Sequence, residues 1–231
     1  MNISKLIEIQ DTYDAIAAEF DITRYKPWPQ TVEFIDSLDD NCTILDLGCG
    51  NGRNIKYLAE TDRGFRILGL DFSIRMLRIA KDKLQQLGLL KNVEFAFGDI
   101  SSLPFKNNSI NAALSVATLH HLPSNKLRLK SLLELERVMK PGGRAFISVW
   151  DFEQERFKNE LEKQLKTPPS DGEFGDVMVP WQGKRGEKFQ RFYHLFYKGE
   201  FKKLLLKANF KIEKLFRAAD NYHAVVSLNC K

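Results

Sequence analysis

The stretch Ile44-Leu45-Asp46-Leu47-Gly48-Cys49-Gly50-Asn51-Gly52 decides how this chain folds. A short apolar run leads through a carboxylate into glycines at alternate positions, the pattern of a buried strand that delivers a tight turn. Glycine there lets backbone approach a ligand that a side chain would block. A second apolar run ends in Gly69-Leu70-Asp71, and a third, residues 93–97, leads into Gly98-Asp99-Ile100. A dinucleotide fingerprint needs its third glycine at position 53, where this chain has Arg53; Gly52 comes one residue early. A carboxylate at Asp46, at the mouth of the turn, would repel a pyrophosphate and suits ammonium and sulfonium charge. The spacing therefore points to S-adenosylmethionine rather than NAD.

Within that reading each acidic tip has a task. Gly48, Cys49, Gly50 and Asn51 supply the turn, and Asp71 accepts hydrogen bonds from a ribose diol. Asp99 faces the adenine amino group and Ile100 its ring. Tyr13, Phe72, Met76, Gly98 and Ala117 complete the candidate cofactor set.

Outward from the turn, strands and helices alternate. A helix over 4–20 is followed by an irregular segment, Arg24-Tyr25-Lys26-Pro27-Trp28-Pro29, where two prolines forbid continued helix. A second helix runs to about residue 37. Strands are predicted at 43–47, 66–70, 93–97, 110–116 and 144–150, with a helix at 54–60. Another, capped by Ser73, carries Met76, Leu77, Ala80, Leu84 and Leu87 on one face. A third, capped by Ser124, stops at Pro141-Gly142-Gly143. Residues 151–197 break the pattern into polar, Pro- and Gly-containing sequence with embedded aromatics, which reads as a lid or substrate loop. A helix at 199–208 and strands at 211–217 and 223–229 close the chain. Such alternation argues for an α/β, doubly wound open sheet. One domain, 1–231, is expected, with residues 1–40 as an N-terminal helical cap and 151–197 as a substrate-side insertion.

With 231 residues, 43% of them hydrophobic, the chain can bury a substantial core. No run approaches a membrane span and no apolar signal-peptide core opens the chain, so a soluble intracellular protein is expected. Cys42, Cys49 and Cys230 show no metal-ligand spacing and read as reduced, buried thiols, with no disulfide and no bound metal. The net charge of +5 is weak evidence for a polyanionic partner. Its distribution says more: Lys184, Arg185, Lys188, Arg191, Lys198, Lys202, Lys203, Lys207, Lys211 and Lys214 fall in one stretch.

The central strand runs into Ser115-Val116-Ala117-Thr118-Leu119-His120-His121, placing a histidine pair where ligands of such sheets bind; either could face the site. Trp150 and Trp181 could stack on a base or belong to the core. Taken together, the glycine turn, Asp71, Gly98-Asp99 and Pro141-Gly142-Gly143 resemble the class I S-adenosylmethionine-dependent methyltransferases. Further segments resemble one subfamily: residues 24–29, His120-His121, Asp176-Val177-Met178-Val179-Pro180-Trp181, Arg191-Phe192-Tyr193-His194-Leu195-Phe196 with Gly199-Glu200, and Asp220-Asn221. That subfamily comprises the tRNA methyltransferases that esterify 5-carboxymethyluridine at the wobble position. The chain departs from its pattern at Tyr222, where tryptophan is typical, and in a short 181–191 region.

The resemblance implies a seven-stranded, mostly parallel Rossmann-like sheet with an antiparallel C-terminal strand. It implies methylation of a tRNA carboxylate in the cytoplasm, with a small zinc-binding activator subunit as partner. A carboxylate needs orientation rather than a base, so Arg24 and Arg191 are candidates to hold it, with His120 beside them. Arg24 could instead grip the methionine carboxylate of the cofactor. Lys26, Trp28, His121, Trp150, Trp181, Tyr193, His194 and Asn221 are the candidate substrate contacts. Strand 93–97 normally lies at the sheet edge in this fold and could dock the activator. Two other readings stay open: a small-molecule methyltransferase, and a non-catalytic cofactor-binding RNA module.

Overall fold

The structure, a computed structural model, describes residues 3–184 and 186–230. Its elements in chain order are α1 (Ile3–Thr23), α2 (Pro29–Asp36), β1 (Thr43–Leu47), α3 (Arg53–Glu60), β2 (Arg66–Asp71), α4 (Ile74–Gln86), β3 (Val93–Phe97), β4 (Ile110–Val116), α5 (Asn125–Val138), β5 (Met139–Trp150), α6 (Lys158–Lys166), β6 (Asp176–Gln182), β7 (Lys188–His194), α7 (Lys198–Lys207), β8 (Lys211–Ala218) and β9 (Asn221–Ser227). Short 3-10 turns occupy Leu119–His121 and Glu155–Phe157.

Seven strands form one sheet in the order β3-β2-β1-β4-β5-β9-β8. Only β9 runs antiparallel, against β5 on one side and β8 on the other. The strand order reverses between β1 and β4, and a crevice opens beyond their carboxyl ends, where open α/β sheets bind ligands. Two apolar clusters cover the faces. On one, Leu45, Leu47, Leu70 and Ile147 meet α5 and α7; on the other, Ile44, Ile67, Leu114 and Phe146 meet α2, α3 and α4. Each fully buried leucine or isoleucine contributes about 1.5–3 kcal/mol relative to exposure. The predicted caps hold: Ser73 Oγ accepts from Met76 N at 3.1 Å and Ser124 Oγ from Leu127 N at 3.3 Å.

Several expectations need correction. Helix α5 ends at Val138, before Pro141-Gly142-Gly143, and those residues sit inside β5. Register with β4 jumps there from Ile110↔Met139 to Ala112↔Arg144, so Pro-Gly-Gly bulges out of the ladder with Gly142 at φ +76°. Segment 151–197 is no loop: it holds α6 and the β6–β7 hairpin, registered Asp176↔His194 through Gln182↔Lys188. Pro180 hides the strand in the sequence, yet it lies on an exposed position of a two-stranded ribbon, where its missing N–H is tolerated. Of the cysteines, all free thiols, only Cys49 is buried; Cys42 is half-buried and Cys230 exposed.

The basic stretch also divides. Lys198, Lys202, Lys203 and Lys207 are exposed on α7, Lys211 and Lys214 on β8, and Lys184 and Lys188 on the hairpin, whereas Arg191 is buried; Arg185 lies outside the described residues. Among the described residues no helix is long and apolar enough to cross a membrane.

Helix α1 is pinned over the carboxyl end of the sheet. Its Asp14 accepts from Ser73 Oγ at 2.5 Å and from Arg75 N at 3.1 Å, at the start of α4. In its last turn, Asp21 accepts from Asn51 Nδ2 at 2.7 Å and from Lys83, which ties α1 to the glycine turn.

Candidate active site

A cavity of about 800 Å³ opens between α1, the strand ends and β7. Its floor is the glycine turn. Gly48, at φ +67°, has no room for a side chain, since a Cβ would come within 2.2 Å of Thr118 Cγ2. Gly50, at φ +53°, differs: its Cβ direction meets nothing within 4 Å and faces the cavity it lines. The turn is fixed from β2, because Asp71 Oδ2 accepts from Gly50 N and Oδ1 from Ser73 N, both at 2.8 Å. Burial raises the Asp71 carboxyl to about 6, its backbone hydrogen bonds pulling the other way. Each of its oxygens keeps lone pairs for a diol. On β3's exit, Asp99 accepts from Ser101 N and Oγ, both at 2.8 Å.

The opposite wall is made by β7 and the turn after β4. Arg191 is only 7% exposed, its guanidinium lying over Trp181 at 4.8 Å and over Tyr193 at 5.3 Å from the ring centres. Its Nη1 donates to Tyr193 Oη at 3.0 Å, while Nε has no hydrogen-bond partner and no carboxylate of a described residue pairs with it. A buried cation without a counter-ion is costly, and the cavity beside it is where an anion would relieve that cost.

Both histidines face this place. His120 Nδ1 accepts from Trp150 N at 3.1 Å, so its proton sits on Nε2, a buried donor with no partner among the described residues. His121 has the opposite tautomer: Nδ1 donates to Phe192 O at 3.1 Å, leaving Nε2 to accept from Tyr13 Oη at 3.0 Å. Burial pushes His120 well below the usual imidazole range, and likewise takes His121 down to about 4. The unfolded chain therefore binds more protons than the folded one below the ordinary value of 6.5. Stability from the neutral pair is complete above that pH and is lost on acidification toward pH 4. Ring NMR shifts of both should stay those of neutral imidazole from about pH 8 to about pH 6. A midpoint near 6.5 for either would overturn the assignment.

Most of the sequence-derived candidates line this one cavity: Arg24, His120 and Arg191; Tyr13, Gly48, Cys49, Gly50, Asn51, Asp71, Phe72, Met76, Gly98, Asp99, Ile100 and Ala117; Lys26, Trp28, His121, Trp150, Tyr193 and Asn221. Three do not. Asp46 shares a strand face with Ile44, so it points beneath α3, fully buried, with Asn54 Nδ2 at 3.4 Å, and burial raises it to about 7. Trp181 packs on Phe20 and carries Arg191 rather than a base. His194 lies behind the wall, its Nδ1 2.7 Å from Asp176 and Nε2 3.0 Å from Glu200. Burial pulls its pKa down, but those carboxylates more than offset this and leave it raised. Trp150 lines the cavity, yet Tyr193 stacks on it at 3.9 Å and the Arg156 guanidinium lies over it at 4.4 Å. Sequence reasoning missed Arg156, Gln154, Arg53 and Thr118, which also line the cavity. Thr118 was within the quoted stretch; Arg156 lay in sequence with no periodicity to place it.

Comparison with known proteins sharpens this picture. A family described as "Methyltransferase domain" matches residues 44–143. The chain is 41% identical over 147 residues to a tRNA (carboxymethyluridine(34)-5-O)-methyltransferase of Arabidopsis thaliana, covering 64% of this chain but only 33% of that protein. The chain thus spans about a third of that relative's length. With the enzyme of the same name from Schizosaccharomyces pombe it shares 31% identity, over 96% of both chains. The chain belongs to the tRNA carboxymethyluridine methyltransferase family. Members of this family are class I enzymes, and S-adenosylmethionine is their cofactor. A solved neighbour at 18% identity shares the fold, with a TM-score of 0.70 over 96% of this chain and 98% of that one; it is a putative methyltransferase in complex with the Haloferax volcanii Trm112 activator. The family's cofactor fits the residues present: Gly50 leaves open the space a Cβ would fill, and Asp71 and Asp99 stand at the rim.

Proposed function

We propose that this protein methylates the carboxylate of a 5-carboxymethyl-type uridine at the wobble position of tRNA, forming the methyl ester. The observation that carries this reading is Arg191, a buried guanidinium without a carboxylate partner among the described residues, beside the unpartnered Nε2 of His120. Together they offer a planar fork and a neutral donor to an incoming carboxylate. Relatives named for this reaction support the choice of acceptor over a small molecule, and the completeness of the site supports catalysis over a purely RNA-binding role.

S-adenosylmethionine, when bound, supplies an electrophilic methyl group on a sulfonium. Residues Gly48–Asn51, Asp71, Phe72, Asp99 and Ile100 would hold it. For the other reactant the chain's task is positional. A carboxylate is already a competent nucleophile at neutral pH, so no general base is required. Arg191 and His120 orient it, and the neutral histidines cannot protonate it. Trp150, Tyr193 and α1 exclude water, and holding the reactants in contact can supply on the order of 7 kcal/mol of the acceleration. Arg24 belongs on the cofactor side in this scheme, because its backbone carbonyl accepts from Asn51 Nδ2 at 2.7 Å. Helices α1 and α2 act as the cap and residues 151–197 as the acceptor-side insertion of one methyltransferase unit.

The reading includes a partner and a place. Strand β3 is one of the two edge strands of the sheet, and Phe97 at its end is 56% exposed. An unpaired edge invites another chain, and a small zinc-binding activator is proposed to dock there, in the cytoplasm. The test is transfer of labelled methyl to carboxymethylated tRNA, with and without the co-expressed zinc protein, followed by mass spectrometry of the wobble nucleoside. Methyl ester at that nucleoside is expected, and more of it with the partner. Absence of ester in both conditions would refute the reaction; equal yield with no co-purification would refute the partner.

A further inference from the structure

Beyond Arg191 and His120, one end of the cavity holds an arrangement that the methyl transfer itself does not use. Asn221 lies directly across the β5–β9 ladder from Trp150. It is 4% exposed and lines the cavity. Its Nδ2 donates to Ala219 O at 2.5 Å, whereas Oδ1 is buried with no partner among the described residues. The polarity is therefore fixed. Turning the amide over would set Oδ1 against a carbonyl oxygen, so the free group is an acceptor awaiting a donor.

Next to it, Arg156 is held flat. Its guanidinium lies over Trp150 at 4.4 Å, and its Nε donates to Gln154 Oε1 at 2.8 Å. Gln154, 2% exposed, donates in turn to Asp151 O at 3.2 Å and Asp220 O at 3.1 Å, so one side chain links Arg156 to the tight turn that presents Asn221. Ala219 and Asp220 both have positive φ, +46° and +59°, which keeps that turn compact. Trp150 is covered by Tyr193 and Arg156, and the Arg156 guanidinium also lies over Phe157 at 4.7 Å; Arg156 is itself exposed, so the side of its guanidinium turned away from Trp150 is the surface offered to a planar ring.

We infer that Arg156, Gln154 and Asn221 form a uracil-reading subsite, in which the acceptor base stacks on the Arg156 guanidinium and its N3–H donates to Asn221 Oδ1. This rests on the tRNA carboxylate reading above and adds base selection to it. On uracil the C4 carbonyl separates N3 from the C5 substituent, so Asn221 can hold the ring while the carboxymethyl arm runs on to Arg191. Cytosine has a lone pair at N3 and would face Oδ1 with like polarity. A site built around one donor rejects the analogue lacking it, because the buried acceptor is left unpaired.

The test uses the full chain with its zinc partner and two tRNAs that differ only in a wobble 5-carboxymethyluridine or 5-carboxymethylcytidine. Wild type should favour the uridine substrate by about 100-fold or more in kcat/KM. Asn221→Ala should lose roughly 10- to 100-fold on uridine and little on cytidine, so the preference collapses. Arg156→Lys keeps the charge and loses the plane, and should raise KM about 10-fold with kcat nearly unchanged. Equal use of both tRNAs by wild type, or an intact preference in Asn221→Ala, overturns the subsite while the methyl-ester reaction stands. Equal loss on both substrates in Asn221→Ala would mark it as structural and overturn its reading role. An unchanged KM in Arg156→Lys overturns the stacking role. Methylation of neither tRNA by wild type overturns the acceptor reading and the subsite with it.

Discussion

Replacing Arg191 by alanine should lower kcat/KM for tRNA by roughly 100- to 1000-fold while S-adenosylmethionine still binds, because the variant removes the partner of a desolvated carboxylate. The guanidinium stands over Trp181 and Tyr193 on β7, away from the glycine turn, so the cofactor floor is untouched. Its stability signature separates it from a structural arginine. Arg128, fully buried, is paired with Glu173 and lies near Glu200, and donates to Leu122 O at 2.9 Å, so truncating it would leave two carboxylates without their cation and a carbonyl without its donor. Arg191 has no carboxylate to strand among the described residues, so Arg191→Ala should melt within a few degrees of wild type. Arg191→Lys should be intermediate in activity, keeping charge and losing the fork. Isothermal titration with S-adenosylmethionine and single-turnover transfer measure the two halves; unchanged turnover in Arg191→Ala would refute the role assigned to it.

How legible each part of the fold is in the sequence depends on the kind of signal. Strands β1, β3 and β4 have the predicted bounds because short apolar runs between turn residues leave little freedom. The acidic tips followed from those strands, and with them most of the cofactor wall. Even Asp46 was legible in retrospect: residues 44 and 46 share a strand face, and Ile44 faces the cluster under α3. The place of Asp46 just before the turn suggests the mouth of the site, but the strand alternation sets the direction of its side chain. Within 151–197 the signal was weaker. Alternation in β6 is carried by Val177 and Val179 and broken to the eye by Pro180, so the hairpin stayed hidden. With it stayed hidden which of Trp181, Arg191, Tyr193 and His194 face the cavity. Arg191 and Tyr193 do; His194 turns to Asp176 and Glu200, and Trp181 supports Arg191. Arg156 depends on a stack with Trp150, a contact that no local pattern encodes.

Gly50→Val should abolish cofactor binding in a protein that still folds, raising the dissociation constant for S-adenosylmethionine by about 100-fold or more. The Cβ direction of Gly50 meets no atom within 4 Å, so the added branches project into the cavity rather than into the core. Folding bears the left-handed φ of +53°, a strain of about 1–3 kcal/mol for a β-branched residue. Gly48 gives the contrasting case within the same turn. There a Cβ would sit 2.2 Å from Thr118 Cγ2, and Thr118 Oγ1 donates to Leu47 O at 3.0 Å across the β1–β4 junction. Gly48→Ala should therefore lower the melting temperature as well as the affinity, because it pries apart the strands whose divergence makes the crevice. Titration of both variants with S-adenosylmethionine, alongside thermal melts, distinguishes a glycine kept open for a ligand from one closed by packing. Normal cofactor binding by Gly50→Val would mean that the space over the turn is not where the cofactor lies.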